Sequence, residues 1–143
     1  MALFQIIYMS SLVTDEPAIL PPILEVAVRS NKQRNITGML LYADGNILQV
    51  LEGEKAVLVE AFRSIQSDVR HHGIFVLIEE DITVRRFSSW SMGFKHLSPA
   101  DLAKFPTAAH VFKAHPDEIS VRVRPSDAQI ILESFAEGSM GIV

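Results

Sequence analysis

Three features of the amino-acid sequence predict an α+β fold. Short runs rich in β-branched and aromatic residues, at residues 3–9, 36–42, 47–52, 74–79 and 87–97, read as strands. Residues 19–31 and 56–67 carry apolar side chains at three- and four-residue spacing and read as helices. The resulting order, β-α-β-β-α-β-β, predicts a ferredoxin-like sheet with two helices on one face. A C-terminal helical extension, residues 98–143, then covers the other face and follows a first unit of residues 1–97.

The elements follow in order. Leu3 to Met9 is apolar except for Gln5, as befits a central strand buried on both sides. Thr14 or Asp15 is a candidate cap for the first helix. Ile19, Ile23, Leu24, Ala27 and Val28 form the apolar face of that helix, and its regular part starts near Pro21, where the first turn tolerates proline. Ala43-Asp44-Gly45-Asn46 joins two apolar runs as a hairpin, because glycine supplies the positive φ. Val57, Ala61 and Ile65 share a face of the second helix, with Leu58 and Phe62 beside them. Asp68 to Gly73 turns the chain, and the last two strands join around Asp81-Ile82-Thr83-Val84. Ser98-Pro99 opens a short helix. Residues 119–124 alternate with period two and read as extended. Ser126 caps a last helix to about Glu137, with Ile130, Ile131 and Phe135 apolar and Gly138 as its stop.

Composition narrows the function. The chain has 143 residues, 48% hydrophobic and 21% charged, the size and balance of one ordinary core. Thirteen basic against seventeen acidic residues give a net charge of -4, which argues against nucleic acid as a direct partner. No apolar run approaches the ~18 residues of a membrane helix. The absence of cysteine excludes disulfides, thiolate metal sites and a cysteine nucleophile, and fits a cytoplasmic location. No P-loop, nucleophile elbow, dinucleotide fingerprint or telling pair of carboxylates is present, so the sequence does not predict an enzyme.

One polar residue stands out. Gln49 sits in the middle of the strand Ile47-Leu48-Gln49-Val50-Leu51. Buried, its amide must be hydrogen-bonded or cost about 1–3 kcal/mol. If the first and third strands are neighbours, Tyr8 and Gln49 can meet on one face, although a core tyrosine and a backbone-bonded glutamine also satisfy the pattern. Asn31 can pair two-point with a ring offering adjacent C=O and N–H groups, or simply stop a helix. Arg70 can meet a phosphate. His71 and His72 are adjacent and lack metal-ligand spacing, so no metal site is assigned. Trp90 and Met92 lie two apart and share a strand face.

Taken together, Ile6-Ile7-Tyr8-Met9-Ser10, Asn31 with Ile36-Thr37-Gly38-Met39-Leu40, Leu48-Gln49-Val50-Leu51-Glu52-Gly53, Asp68-Val69-Arg70-His71-His72, and Arg86-Phe87 with Trp90-Ser91-Met92 resemble the BLUF family of blue-light sensors that use FAD. The resemblance covers about residues 2–97. It implies a photoreceptor that binds FAD without a covalent bond and switches by electron transfer from Tyr8, with Gln49 bridging Tyr8 to the flavin. It implies that Asn31 holds the ring edge, that Ile23 and Ile65 flank the ring, and that Ser30 faces it. Asp68, Arg70 and His71 fall at the ribityl and phosphate end. Arg63 stands one residue ahead of Ser64, the position at which some relatives carry arginine. Ser10, Trp90 and Met92 fall where the family relays its signal. The expected output runs through the C-terminal part to a downstream partner protein, with a homo-oligomer, a dimer or larger, as the assembled form. The competing reading is a ferredoxin-like ligand-binding or flavin-binding module without photochemistry.

Overall fold

A computed structural model describes residues 2–14, 20–88, 91–114, 118–119 and 123–136. Its strands are β1 (Leu3–Leu12), β2 (Thr37–Ala43), β3 (Asn46–Glu54), β4 (His71–Ile82) and β5 (Gly93–His96). Its helices are α1 (Leu20–Arg34), α2 (Lys55–Gln66), α3 (Pro99–Lys104), α4 (Pro106–Phe112) and α5 (Pro125–Ala136). The strands form one sheet in the order β4-β1-β3-β2-β5. All neighbours are antiparallel except β2 and β5, which are parallel. The first four strands and two helices make the ferredoxin-like arrangement, and β5 extends it beyond β2.

Each face of the sheet has its own core. On one face Ile6, Leu40 and Leu51 pack with Leu24 and Val28 of α1 and Leu58 and Phe62 of α2. On the other, Met9, Leu41, Leu48 and Val50 pack with Val111 and Phe112 of α4 and Ile131 and Leu132 of α5. Double coverage is why β1 and β3 read as nearly unbroken apolar runs. The hairpin between β2 and β3 turns on Asp44 and Gly45, at φ 52° and 80°, the pair of positive φ values of a type I′ turn. Gly38 is needed for a different reason. A Cβ there would lie 2.0 Å from the carbonyl oxygen of Val50, so only glycine lets β2 approach β3.

Several expectations are corrected. The last two strands do not join around Asp81-Ile82-Thr83-Val84: Asp81 and Ile82 end β4, and β4 and β5 lie at opposite edges of the sheet. The strand expected from Phe87 is confined to Gly93–His96, because the amides of Arg86 and Phe87 donate to the Glu52 carboxylate and not to a neighbouring strand. Residues 71–73, expected in a turn, open β4, whose polar ends lie along an exposed edge and carry no apolar signal. Of residues 119–124, expected to be extended, 120–122 lie outside the described residues. Ile119 is in a helical turn, and the Val123 amide donates to the Ile119 carbonyl at 2.9 Å. Both side chains are buried. Ser126 is not a cap: Pro125 takes the first helical position, and the Asp127 and Ala128 amides donate to the Arg124 carbonyl. Ile130 is 59% exposed, and Ala128 and Leu132 hold the buried stripe with Ile131 and Phe135. Asp15, Ile19, Glu137 and Gly138 lie outside the described residues.

The start of α3 is as expected. The Ser98 hydroxyl accepts from the Asp101 amide and the Asp101 carboxylate accepts from the Ser98 amide, a complete capping box ahead of Pro99. Among the described residues, no helix is long and apolar enough to cross a membrane.

Candidate functional site

A cleft of about 230 Å3 opens between α1 and α2 above the sheet. The two helices build it by presenting two stripes each. In α1, Leu20, Leu24, Val28 and Asn31 are buried, while Ile23, Ala27, Ser30 and Arg34, one helical turn apart, line the cleft. In α2, Leu58 and Phe62 go into the core, and Ala61, Ser64 and Ile65 face the cleft. Leu40, Gln49 and Leu51 form its floor, Met92 closes the β5 side, and Asp68 and Arg70 stand at its rim.

Tyr8 and Gln49 are directly opposite each other on β1 and β3. Both are buried, and the Tyr8 hydroxyl donates to Gln49 Oε1. Gln49 Nε2 donates to Met92 Sδ at 3.3 Å. The amide thus joins the phenol beneath the cleft to the methionine at its side. The Tyr8 ring packs 5.2 Å from that of Phe62. Burial, aided by the charge of Asp68, pushes the Tyr8 phenol pKa well above its ordinary value. The phenol therefore keeps its proton in the resting site and donates it as a hydrogen bond.

Asn31 Nδ2 donates to the Ser91 carbonyl at 2.8 Å and ties the end of α1 to the segment before β5. Asp68 grips Arg70 through a fork, Nε to Oδ1 at 2.9 Å and Nη2 to Oδ2 at 2.5 Å. That grip lowers the Asp68 pKa from 3.8 to about 2 and raises that of Arg70. His71 Nε2 lies 2.7 Å from the Ile65 carbonyl, which can only accept, so Nε2 carries a hydrogen. In the neutral ring Nδ1 then accepts from the Ser10 hydroxyl at 2.8 Å.

Of the sequence candidates, Ile23, Ser30, Asn31, Gln49, Ile65, Asp68, Arg70 and Met92 line one cleft. Tyr8 lies under it, bonded to Gln49. Ser10, Arg63 and His71 do not line it. Arg63 is on the outer face of α2, paired with Glu60 at 2.8 Å, because the residue that helical geometry turns inward is Ser64. His71 braces β4 between Ser10 of β1 and α2. Trp90 lies outside the described residues. Among the described residues no cluster of His, Asp or Glu is arranged to hold a metal ion.

Two residues of consequence were not singled out. Arg34 lines the cleft and is reached from Ile23, Ala27 and Ser30 by continuing the same helical spacing. Glu52 is fully buried on the opposite face, where it accepts from Gln5 Nε2 at 2.8 Å and from the Arg86 and Phe87 amides. Its place at the end of the nearly unbroken apolar run of β3 was the available signal.

The cleft suits a flat ring with a polar edge. Ile23, Leu24 and Ile65 offer apolar surface from both helices, and the amides of Asn31 and Gln49 are its fixed polar groups. The family described as "Sensors of blue-light using FAD" matches residues 3–93. The blue light- and temperature-regulated antirepressor BluF of Escherichia coli (strain K12) is 33% identical over 88 residues, 61% of this chain and 22% of that protein. The chain therefore spans less than a quarter of the length of this relative. The dark-state structure of BlrB, a BLUF protein, is 30% identical with a TM-score of 0.71, covering 90% of this chain and 97% of that one. BlsA in its ground state, 23% identical over 98% of this chain and 91% of that one, shares the fold with a TM-score of 0.80. The chain belongs to the BLUF family, the sensors of blue light using FAD.

Proposed function

We propose that the chain is a blue-light photoreceptor that binds FAD non-covalently in the cleft between α1 and α2 and signals without turning over a substrate. The observation that carries this is the hydrogen-bonded chain from Tyr8 through Gln49 to Met92, set against a cleft that can hold a flavin ring. Ile23 and Ile65 would hold the ring between the helices. Asn31 and Gln49 would face its polar edge, Ser30 would lie beside it, and the Asp68–Arg70 pair would stand at its ribityl end.

When bound, the flavin supplies blue-light absorption and, once excited, an electron acceptor. Tyr8 would be the electron donor, and its hydroxyl proton would move along the existing hydrogen bond to the Gln49 amide. Both return, so no net oxidation occurs. The amide settles in a rotated or tautomeric form, which changes what Gln49 offers to the ring and to Met92. Met92 stands immediately before β5, and six residues later Ser98 caps α3, so a change at Gln49 has a short covalent path to the C-terminal part. Residues 1–97 are then the sensor and residues 98–143 the output. The output acts on a downstream protein partner, with the receptor as a homo-oligomer.

The test is the visible spectrum of the purified chain in the dark and under blue light. We expect oxidised-flavin bands that move reversibly to the red. Bands that stay fixed refute the photochemistry, and a chain that stays colourless after incubation with excess FAD and desalting refutes flavin binding.

A further inference from the structure

We propose that Arg34 is the phosphate-binding residue of the cleft, so that it distinguishes phosphorylated flavins from the unphosphorylated ring and ribityl chain. This rests on the flavin-binding reading above and adds to it a residue and a ligand group. The first observation is size. The cleft holds about 230 Å3, less than the roughly 300–1,000 Å3 of a pocket that encloses a drug-sized ligand. A flavin nucleotide whose ring fills this space must lay its phosphate across the mouth, where the polar side chains are.

The second observation is charge. The whole chain carries -4, yet the charged groups lining the cleft are two arginines, Arg34 and Arg70, against one carboxylate, Asp68. Arg70 is already held: its guanidinium forks onto Asp68, which cancels its charge and occupies its donors on that side. Among the described residues Arg34 has no hydrogen-bond or ion-pair partner. Among those residues it is the uncompensated cation at the mouth, with a planar array of donors that matches phosphate oxygens.

The third observation is anchoring. Arg34 ends α1, and the backbone next to it is fixed. Asn35 has a φ of 55°, the Ile36 amide donates to the Asn31 carbonyl at 2.9 Å, and Arg85 Nη2 donates to the Asn35 carbonyl at 2.7 Å. A cation at a helix C-terminus also favours the helix by itself. That role predicts no dependence on the ligand's phosphate, which separates the two explanations.

The experiment is equilibrium dialysis of the full chain, as wild type, Arg34→Gln and Arg34→Lys, against FAD, FMN and riboflavin. We expect Arg34→Gln to bind FAD and FMN about tenfold more weakly, the loss of one charge-assisted hydrogen bond. Riboflavin affinity should stay within about twofold of wild type, which also shows that the variant is folded. Arg34→Lys should recover part of the loss, and added salt should narrow the gap between wild type and Arg34→Gln. Unchanged FAD and FMN affinity in Arg34→Gln overturns the assignment and leaves flavin binding intact. An equal loss for riboflavin overturns it too, because the residue then supports the cleft and not the phosphate. A wild-type chain that binds none of the three flavins overturns the functional reading and this assignment together.

Discussion

Tyr8 and Gln49 are separable by chemistry. Replacing Tyr8 with Phe keeps the ring that packs on Phe62 and removes the hydroxyl bonded to Gln49 Oε1. The fold and the flavin should remain, at a cost of about 1–3 kcal/mol for the orphaned acceptor, and the light-induced red shift should vanish. Gln49→Leu fills the same floor without an amide and should also bind flavin without shifting. Absorption spectra of the two variants check both outcomes, and a wild-type photocycle in either would remove that residue from the mechanism. Asp68 carries a different prediction. Its carboxyl titrates at about 2 when folded against an ordinary 3.8, so the unfolded chain takes up its proton first as pH falls. Its contribution to stability is complete above 3.8 and is lost as pH drops through about 2. Because the pair is partly exposed, that contribution is about 1 kcal/mol or less. Thermal melts across this range should show Asp68→Asn with a flatter acid decline than wild type. The sequence made most of these residues visible because a polar side chain in an apolar strand, or on an apolar helix stripe, needs a reason. Arg63 does not line the cleft because one residue on a helix is about 100° of rotation, and the stripe that carries Ala61 and Ile65 turns Ser64 inward instead.

Among the elements, β1, β3, α1 and α2 were legible, since each has a long periodic or continuous apolar pattern. β4 and β5 were not, for opposite reasons. β4 is an edge strand whose ends are polar, and β5 is only four residues long and gains its place by pairing with β2. The start of the crossover to it, at Arg86 and Phe87, is held by Glu52. Its two carboxylate oxygens accept from Gln5, Arg86 and Phe87 on the face away from the cleft. Arg85 adds bonds to Thr37 Oγ1 at 2.9 Å and to the Glu52 carbonyl at 3.1 Å. Glu52→Gln turns one of those oxygens into an NH2 group that faces donors. The expected loss is about 1–3 kcal/mol. It should appear as a lower urea midpoint with an unchanged slope, because the change removes acceptors without altering what unfolding exposes. A wild-type midpoint would show that the carboxylate is not what fixes the crossover.

The whole molecule is a sheet between two cores, and the two sides are joined at few polar points. Asn46 Nδ2 donates to the Phe112 carbonyl at 2.6 Å and the Ala114 carbonyl at 3.2 Å, tying the β3 end to α4. Arg86 pairs with Glu133 of α5 at 2.6 Å. The Leu97 amide donates to the Tyr42 carbonyl at 2.9 Å, just before the Ser98 cap. Deleting everything after Ser98 would bare Met9, Leu41, Leu48 and Val50, so such a truncation reports on stability before it reports on signalling. A point change isolates the path instead. Met92→Leu keeps volume and apolar packing, at a cost under about 1.5 kcal/mol, but removes the sulfur that accepts from Gln49. If the Gln49 amide acts on the C-terminal part through Met92, wild-type protein should change its amide hydrogen exchange under blue light from Gly93 to Leu102. Met92→Leu should retain the red shift, which needs only Tyr8, Gln49 and the flavin, and lose most of that change in exchange. The same light-dependent exchange in both proteins would mean that the signal leaves the cleft by another contact, with the Asn31 bond to the Ser91 carbonyl as the next connection to remove.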